Sequence, residues 1–193
     1  MKRTLLIGLI ASLPLFSFSQ NKIGIFGGAN YSYFTNGTIK NVSLENSMGI
    51  QLGMLYEIRL TDKIDFRPKL LFSQQGDKKT EQISCNCFEI NQTDFELSYI
   101  NIPLDFKFGN KVYLITGPQI GFLINEKKLS NNFIFTKTDI DIGFNVGFGT
   151  KFNDFFIEFG AYQGFTDLFN YPISQYKGSA RNGLFKLSFG YYL

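Results

Sequence analysis

Apolar residues alternate with polar or small ones along eight stretches of the chain, and a period of two puts each set on its own face of a β-strand. The stretches are 22–34, 47–60, 64–75, 95–108, 112–124, 138–152, 155–165 and 183–193. In the second, Ile50, Leu52, Met54, Tyr56 and Ile58 share one face. In the sixth, Ile140, Ile142, Phe144, Val146 and Phe148 do so. The opposite faces carry Lys22, Gly28, Asn30, Gln51, Glu57, Arg59, Asp65, Arg67, Lys69, Asn101, Asp105, Lys107, Gln119, Asp141, Asn145, Lys151, Glu158, Lys186 and Ser188. Phe26, Leu55, Leu71, Ile115 and Phe156 interrupt that polar pattern.

The connections alternate too. Residues 61–63, 109–111 and 153–154 read as tight turns, whereas 35–46, 76–94, 125–137 and 166–182 are long and polar. Short turns at one end and long loops at the other are the signature of an up-and-down barrel that crosses a membrane. The expected fold is therefore all-β: an eight-stranded antiparallel transmembrane β-barrel with short periplasmic turns and long outer loops.

The placement of aromatics favours a membrane over water. Tyr31, Tyr33, Tyr56, Phe106, Phe108, Phe152, Phe155 and Tyr191 stand near the ends of the apolar faces, where interfacial girdles belong. The polar face mixes both signs of charge. An eight-stranded barrel is just wide enough for its side chains to fill, so such charges are expected to pair and close the lumen. Pro68, Pro103 and Pro118 fall inside strands and lack a ladder donor, so each predicts a bulge or bend.

Composition narrows the function classes. The 193 residues include 23 Phe, 10 Tyr and 19 Gly but no Trp, and the mean hydropathy is −0.03. That mixture suits short strands, and after residue 20 no apolar run reaches the ~20 residues of a helical span. A net charge of +3 without a dense basic cluster gives no footprint for nucleic acid. At the N-terminus, Lys2 and Arg3 precede an apolar stretch over 5–16, and Ser17 and Ser19 suit a signal peptidase. Residues 1–19 are read as a cleaved signal peptide and 20–193 as the outer-membrane barrel domain.

Chemistry is sparse. The chain has no His, which removes the commonest general base and metal ligand, and no G-x-S-x-G nucleophile motif is present. No catalytic, cofactor-binding or metal-binding residue is singled out, no cofactor is expected, and the chain is read as a non-enzyme. Gly143, Gly147 and Gly149 suit a narrow lumen better than a phosphate loop. Cys85 and Cys87 form a close pair in the longest loop, too few ligands for a structural zinc site and short for an unstrained disulfide. The acceptor-like triplets at Asn36, Asn41 and Asn91 read as chance in Asn- and Thr-rich loops.

The segment Tyr99-Ile100-Asn101-Ile102-Pro103-Leu104-Asp105-Phe106-Lys107 resembles the PorT-like outer-membrane β-barrel family of Gram-negative bacteria, with its Tyr-x-x-Ile-Pro-Leu strand. Thr116-Gly117-Pro118-Gln119-Ile120-Gly121-Phe122 resembles the Gly-Pro strand that follows it, and the pattern continues over residues 142–149 and 158–168. The last stretch resembles the terminal strand read by outer-membrane assembly machinery. The family often carries Arg before the Tyr of the seventh strand, where Ala161 stands here. The resemblance thus implies that one internal ion pair is missing. It also implies a small integral outer-membrane barrel among lipids, with envelope partners at its long loops and a link to a secretion system. The competing expectations are a soluble lipocalin-like ligand binder, which would need an apolar lumen, and a narrow pore.

Overall fold

The structure is a computed structural model that describes residues 21–35, 47–77, 84–85, 88–89, 95–128, 136–170 and 179–193. Eight long strands dominate it: β1 Lys22–Thr35, β2 Ser47–Arg59, β3 Ile64–Asp77, β4 Phe95–Phe108, β5 Val112–Lys128, β6 Ile140–Phe152, β7 Phe155–Gly164 and β8 Ser179–Tyr192. Each pairs antiparallel with its sequence neighbours, and β1 pairs with β8 from Gly24↔Tyr192 to Thr35↔Arg181, which closes the barrel. Closure leaves no long sheet edge among the described residues, the condition for a sheet to cross lipid.

The three tight turns stand at one end. Asn153 turns the β6–β7 hairpin with φ 53°, in the left-handed region that Asn tolerates. Gly109 takes φ 111°, a conformation suited to glycine. In the β2–β3 turn, Thr61 Oγ1 accepts from the backbone N–H groups of Lys63 and Ile64 at 3.3 and 3.1 Å.

Alternation decides which way the side chains point. Val112 is 72% exposed, Leu52 67% and Phe155 63%, whereas Asp65 is 2% exposed and Arg67 0%. The apolar set covers the outer wall and the polar set fills the inside, the arrangement of a barrel in lipid. The five apolar residues that interrupt the polar pattern are buried in the lumen, where Phe26, Leu55, Leu71 and Phe156 cluster with Tyr192. The girdle positions Tyr31, Phe106, Phe108, Phe152, Phe155 and Tyr191 are exposed on the outer wall, with Phe155 and Tyr191 in ring contact at 4.9 Å.

Several details differ from the sequence expectation. Strands β3 and β5 run on to Asp77 and Lys128, and β8 begins at Ser179, so the wall extends further into the long connections. Strand β6 begins at Ile140, two residues later than the pattern placed it, and β2, β7 and β8 each stop one residue earlier. The pairs Thr136–Lys137 and Phe169–Asn170 add a small ribbon beside Ser179 and Ala180. No bulge marks the prolines, because the register is the same on both sides of Pro68, Pro103 and Pro118, but the pairing lapses beside each of them along one neighbouring strand. The shift falls between Ser98 and Tyr99. The signal segment 1–19, Cys87 and Asn36, Asn41 and Asn91 lie outside the described residues; Cys85 sits in a two-residue strand with Ser84.

Candidate functional site, the plugged lumen

The inward face builds a stack of polar layers along the barrel axis. In the middle, Arg67 of β3 reaches Glu158 of β7, Nη1 to Oε1 2.6 Å, and its Nε lies 3.3 Å from Glu57 Oε2. The Tyr113 and Phe156 rings flank the guanidinium at 5.6 and 5.5 Å from their centroids, a cation–π arrangement. Lys69 Nζ stands 3.1 Å from both Glu158 Oε2 and Asp105 Oδ2. Lys107 Nζ contacts Glu57 Oε2 at 3.1 Å and Asp65 Oδ2 at 2.8 Å. Two hydroxyls complete the cluster: Tyr113 donates to Glu158 Oε1 at 3.0 Å and Tyr192 to Glu57 Oε2 at 2.6 Å.

Towards the long connections the charges give way to amides and hydroxyls. Lys186 donates to Asn145 Oδ1 at 2.6 Å, and Asn145 Nδ2 donates to Gln119 Oε1 at 3.1 Å. Gln119 in turn donates to Asn101 Oδ1 at 3.2 Å. Gln51 donates to Ser188 at 2.9 Å, Asn30 to Ser73 at 2.9 Å, and Asn182 to Asp141 at 3.0 Å. Buried polar groups need such partners, because each one left unpaired carries its full desolvation cost.

Rings and glycines fit together on this face. A Cβ added to Gly149 would sit 2.7 Å from the Tyr113 ring, and one on Gly143 2.6 Å from that of Tyr162. On Gly190 it would strike the Phe156 ring. The inward glycines make room for inward aromatics, so the Gly-rich stretch of β6 is a packing device. What remains open in the middle is a void of about 40 Å³ beside Lys69, Asp105, Asn145, Glu158 and Lys186. Ligand pockets measure roughly 300–1,000 Å³, so this void takes a few waters and no small-molecule ligand. Both carboxylate oxygens of Glu158 are engaged, as is Oε2 of Glu57. Chemically, the arrangement is a plug that braces opposite walls.

The sequence placed Glu57, Asp65, Arg67, Lys69, Asp105, Lys107, Glu158 and Lys186 on one face, and the structure brings all eight into this network or against it. It missed the buried tyrosines Tyr99, Tyr113, Tyr162 and Tyr192. Their parity was available: Tyr113 falls in step with Ile115 and Gln119, and Tyr192 with Lys186 and Ser188. The expected loss of an ion pair at Ala161 is also corrected. Ala161 pairs with Val146 and Phe185 on the outward face, so an Arg there would point away from the lumen.

Comparison with known proteins agrees with this geometry. Residues 18–170 match the family described as outer membrane protein beta-barrel domain. The fold is similar to that of the Neisserial surface protein A, with a TM-score of 0.53 at 13% identity over 89% of this chain and 96% of that one. It is similar to OprG of Pseudomonas aeruginosa as well, with a TM-score of 0.53 at 12% identity over 90% and 95%. No curated protein matches the chain in sequence.

Proposed function

Since the chain belongs to the outer membrane protein beta-barrel domain family, we propose that it is an integral barrel of the bacterial outer membrane with a structural or protein-interaction role. One observation carries the reading: the lumen is filled by paired charges, while the chain invests its length in the connections at one end. A filled lumen supports neither transport nor storage of a ligand. Long connections opposite tight turns support contact with other molecules outside the cell. On this reading residues 1–19 are a cleaved signal peptide, residues 20–193 are the mature barrel of a Gram-negative envelope, and the chain is not an enzyme. The likeness of residues 99–107 to the PorT-like strand supports envelope partners belonging to a secretion system.

Photo-crosslinking residues placed one at a time in 36–46 and 78–83, in intact cells, test the reading. Discrete protein adducts from these positions, and none from position 62 in a tight turn, are the expected result. A lack of adducts from both segments would overturn it.

A further inference from the structure

The mouth of the lumen at the tight-turn end differs from the plug above it. A cleft of about 260 Å³ opens there, lined by Lys22, Glu57, Arg59, Lys107, Lys111 and Lys151, with the amides of Asn110 and Asn153. Among the described residues Glu57 is the only carboxylate in that lining, and it is committed inward to Lys107, Arg67 and Tyr192. Arg59 and Lys107 turn to Asp65, at 3.7 and 2.8 Å. Lys22 and Lys151 remain, and both stand against the same ring: their Nζ atoms lie 5.6 and 4.6 Å from the Tyr192 centroid. No carboxylate of the described residues pairs with Lys22, Lys111 or Lys151. Asp62 and Asp154, in neighbouring turns, do not line the cleft.

Two ammonium groups gathered at one aromatic ring repel each other, and an anion between them relieves that repulsion. We infer that this mouth is a binding site for a phosphate-bearing anion, held by Lys22, Lys111 and Lys151 with Asn110 and Asn153 as neutral donors. Lysine binds phosphate as a point charge with three donors. Several such donors around one cleft suit a group that offers several charged oxygens. At about 30 Å³ per water, the cleft has room for a pyrophosphate in place of its solvent. With the tight turns on the periplasmic side, the anion is either a soluble phosphate compound or the headgroup of an inner-leaflet phospholipid. The site lies at the end opposite the long connections, so it stands or falls separately from the partner reading above.

Calorimetric titration of pyrophosphate into the full chain refolded in zwitterionic micelles, at fixed ionic strength, tests the site. Saturable binding is expected, and the double variant K22Q/K151Q should weaken it at least about tenfold, the scale of losing charge-assisted contacts. K22R/K151R should retain it, and K63Q, outside the cleft, should leave it unchanged. Heat-shift mobility on a gel establishes that each variant is folded. Absence of saturable binding, or binding indifferent to K22Q/K151Q, would overturn the inference. Repeating the titration in nanodiscs identifies the source. Loss of pyrophosphate affinity in anionic phospholipid relative to zwitterionic lipid points to a headgroup, and equal affinity points to a soluble ligand.

Discussion

Arg67 Nη1 lies 2.6 Å from Glu158 Oε1, joining two residues 91 positions apart on strands that do not neighbour each other in the sheet. The pair spans the lumen from β3 to β7 and so braces opposite walls. Removing Arg67 takes one of two cations from Glu158 and leaves Lys69 as its remaining partner; breaking a buried pair costs about 3–5 kcal/mol. Arg67→Ala is therefore expected to lower the unfolding free energy in lipid vesicles by that amount. The double variant R67A/E158A should cost less than the sum of the single variants. A strictly additive result in urea titrations would mean the pair is not coupled.

The inward glycines predict a second contrast. Gly149→Ala drives a methyl into the Tyr113 ring, so it is expected to destabilise by about 1–3 kcal/mol, the usual range for overpacking. Gly27→Ala is the control, since its new Cβ would meet Leu52 at 3.5 Å, an ordinary contact. Equal denaturation midpoints for the two variants would contradict the ring-over-glycine packing.

Lipid on the outer wall predicts a third. Val146 stands outward, 58% exposed, in the middle of β6. Val146→Arg should cost about 2–4 kcal/mol in a bilayer, as for a cation on the lipid face near the midplane. Asn145→Ala, one residue away and inward, acts through the lumen network instead. Refolding yields in vesicles that are unaffected by V146R would argue for water, not lipid, around this wall.

The filled lumen predicts the electrical behaviour. The central void measures about 40 Å³, and the ion pairs of Lys69 with Asp105 and Glu158 stand beside it. Planar bilayers containing the barrel are expected to remain at background conductance. Reproducible steps of ion current would show that the plug moves and would revive the pore expectation.

The barrel was legible in the chain because period two is a direct consequence of strand geometry. The three tight turns and the start of β5 at Val112 follow from the same pattern. The inside was legible only in part. Alternation sorts residues into two faces, and that sufficed to gather Arg67, Lys69 and Glu158. It says nothing about which cation meets which carboxylate across the lumen, because that depends on barrel closure and stagger. Tyr113 and Tyr192 went unnoticed because tyrosine suits both the girdle and a wet interior, and only the parity of its neighbours separates the two. The prolines were legible in part, as lapses in the ladder without a bulge. A missing donor removes a bond from the ladder, yet the register on either side of Pro103 is held by the strand's other pairs. The cleft at the turn end was out of reach altogether, since Lys22 and Lys151 lie 129 positions apart and meet only when β1 closes on β8, β8 pairs with β7 and β7 pairs with β6.

The most direct test of a closed membrane barrel is gel mobility of the detergent-refolded chain with and without boiling. Closure by β1 and β8 predicts that the unboiled protein resists the detergent and runs as a distinct band, which moves to the unfolded position only after heating. Identical bands before and after boiling, from a chain soluble in plain buffer, would contradict the account.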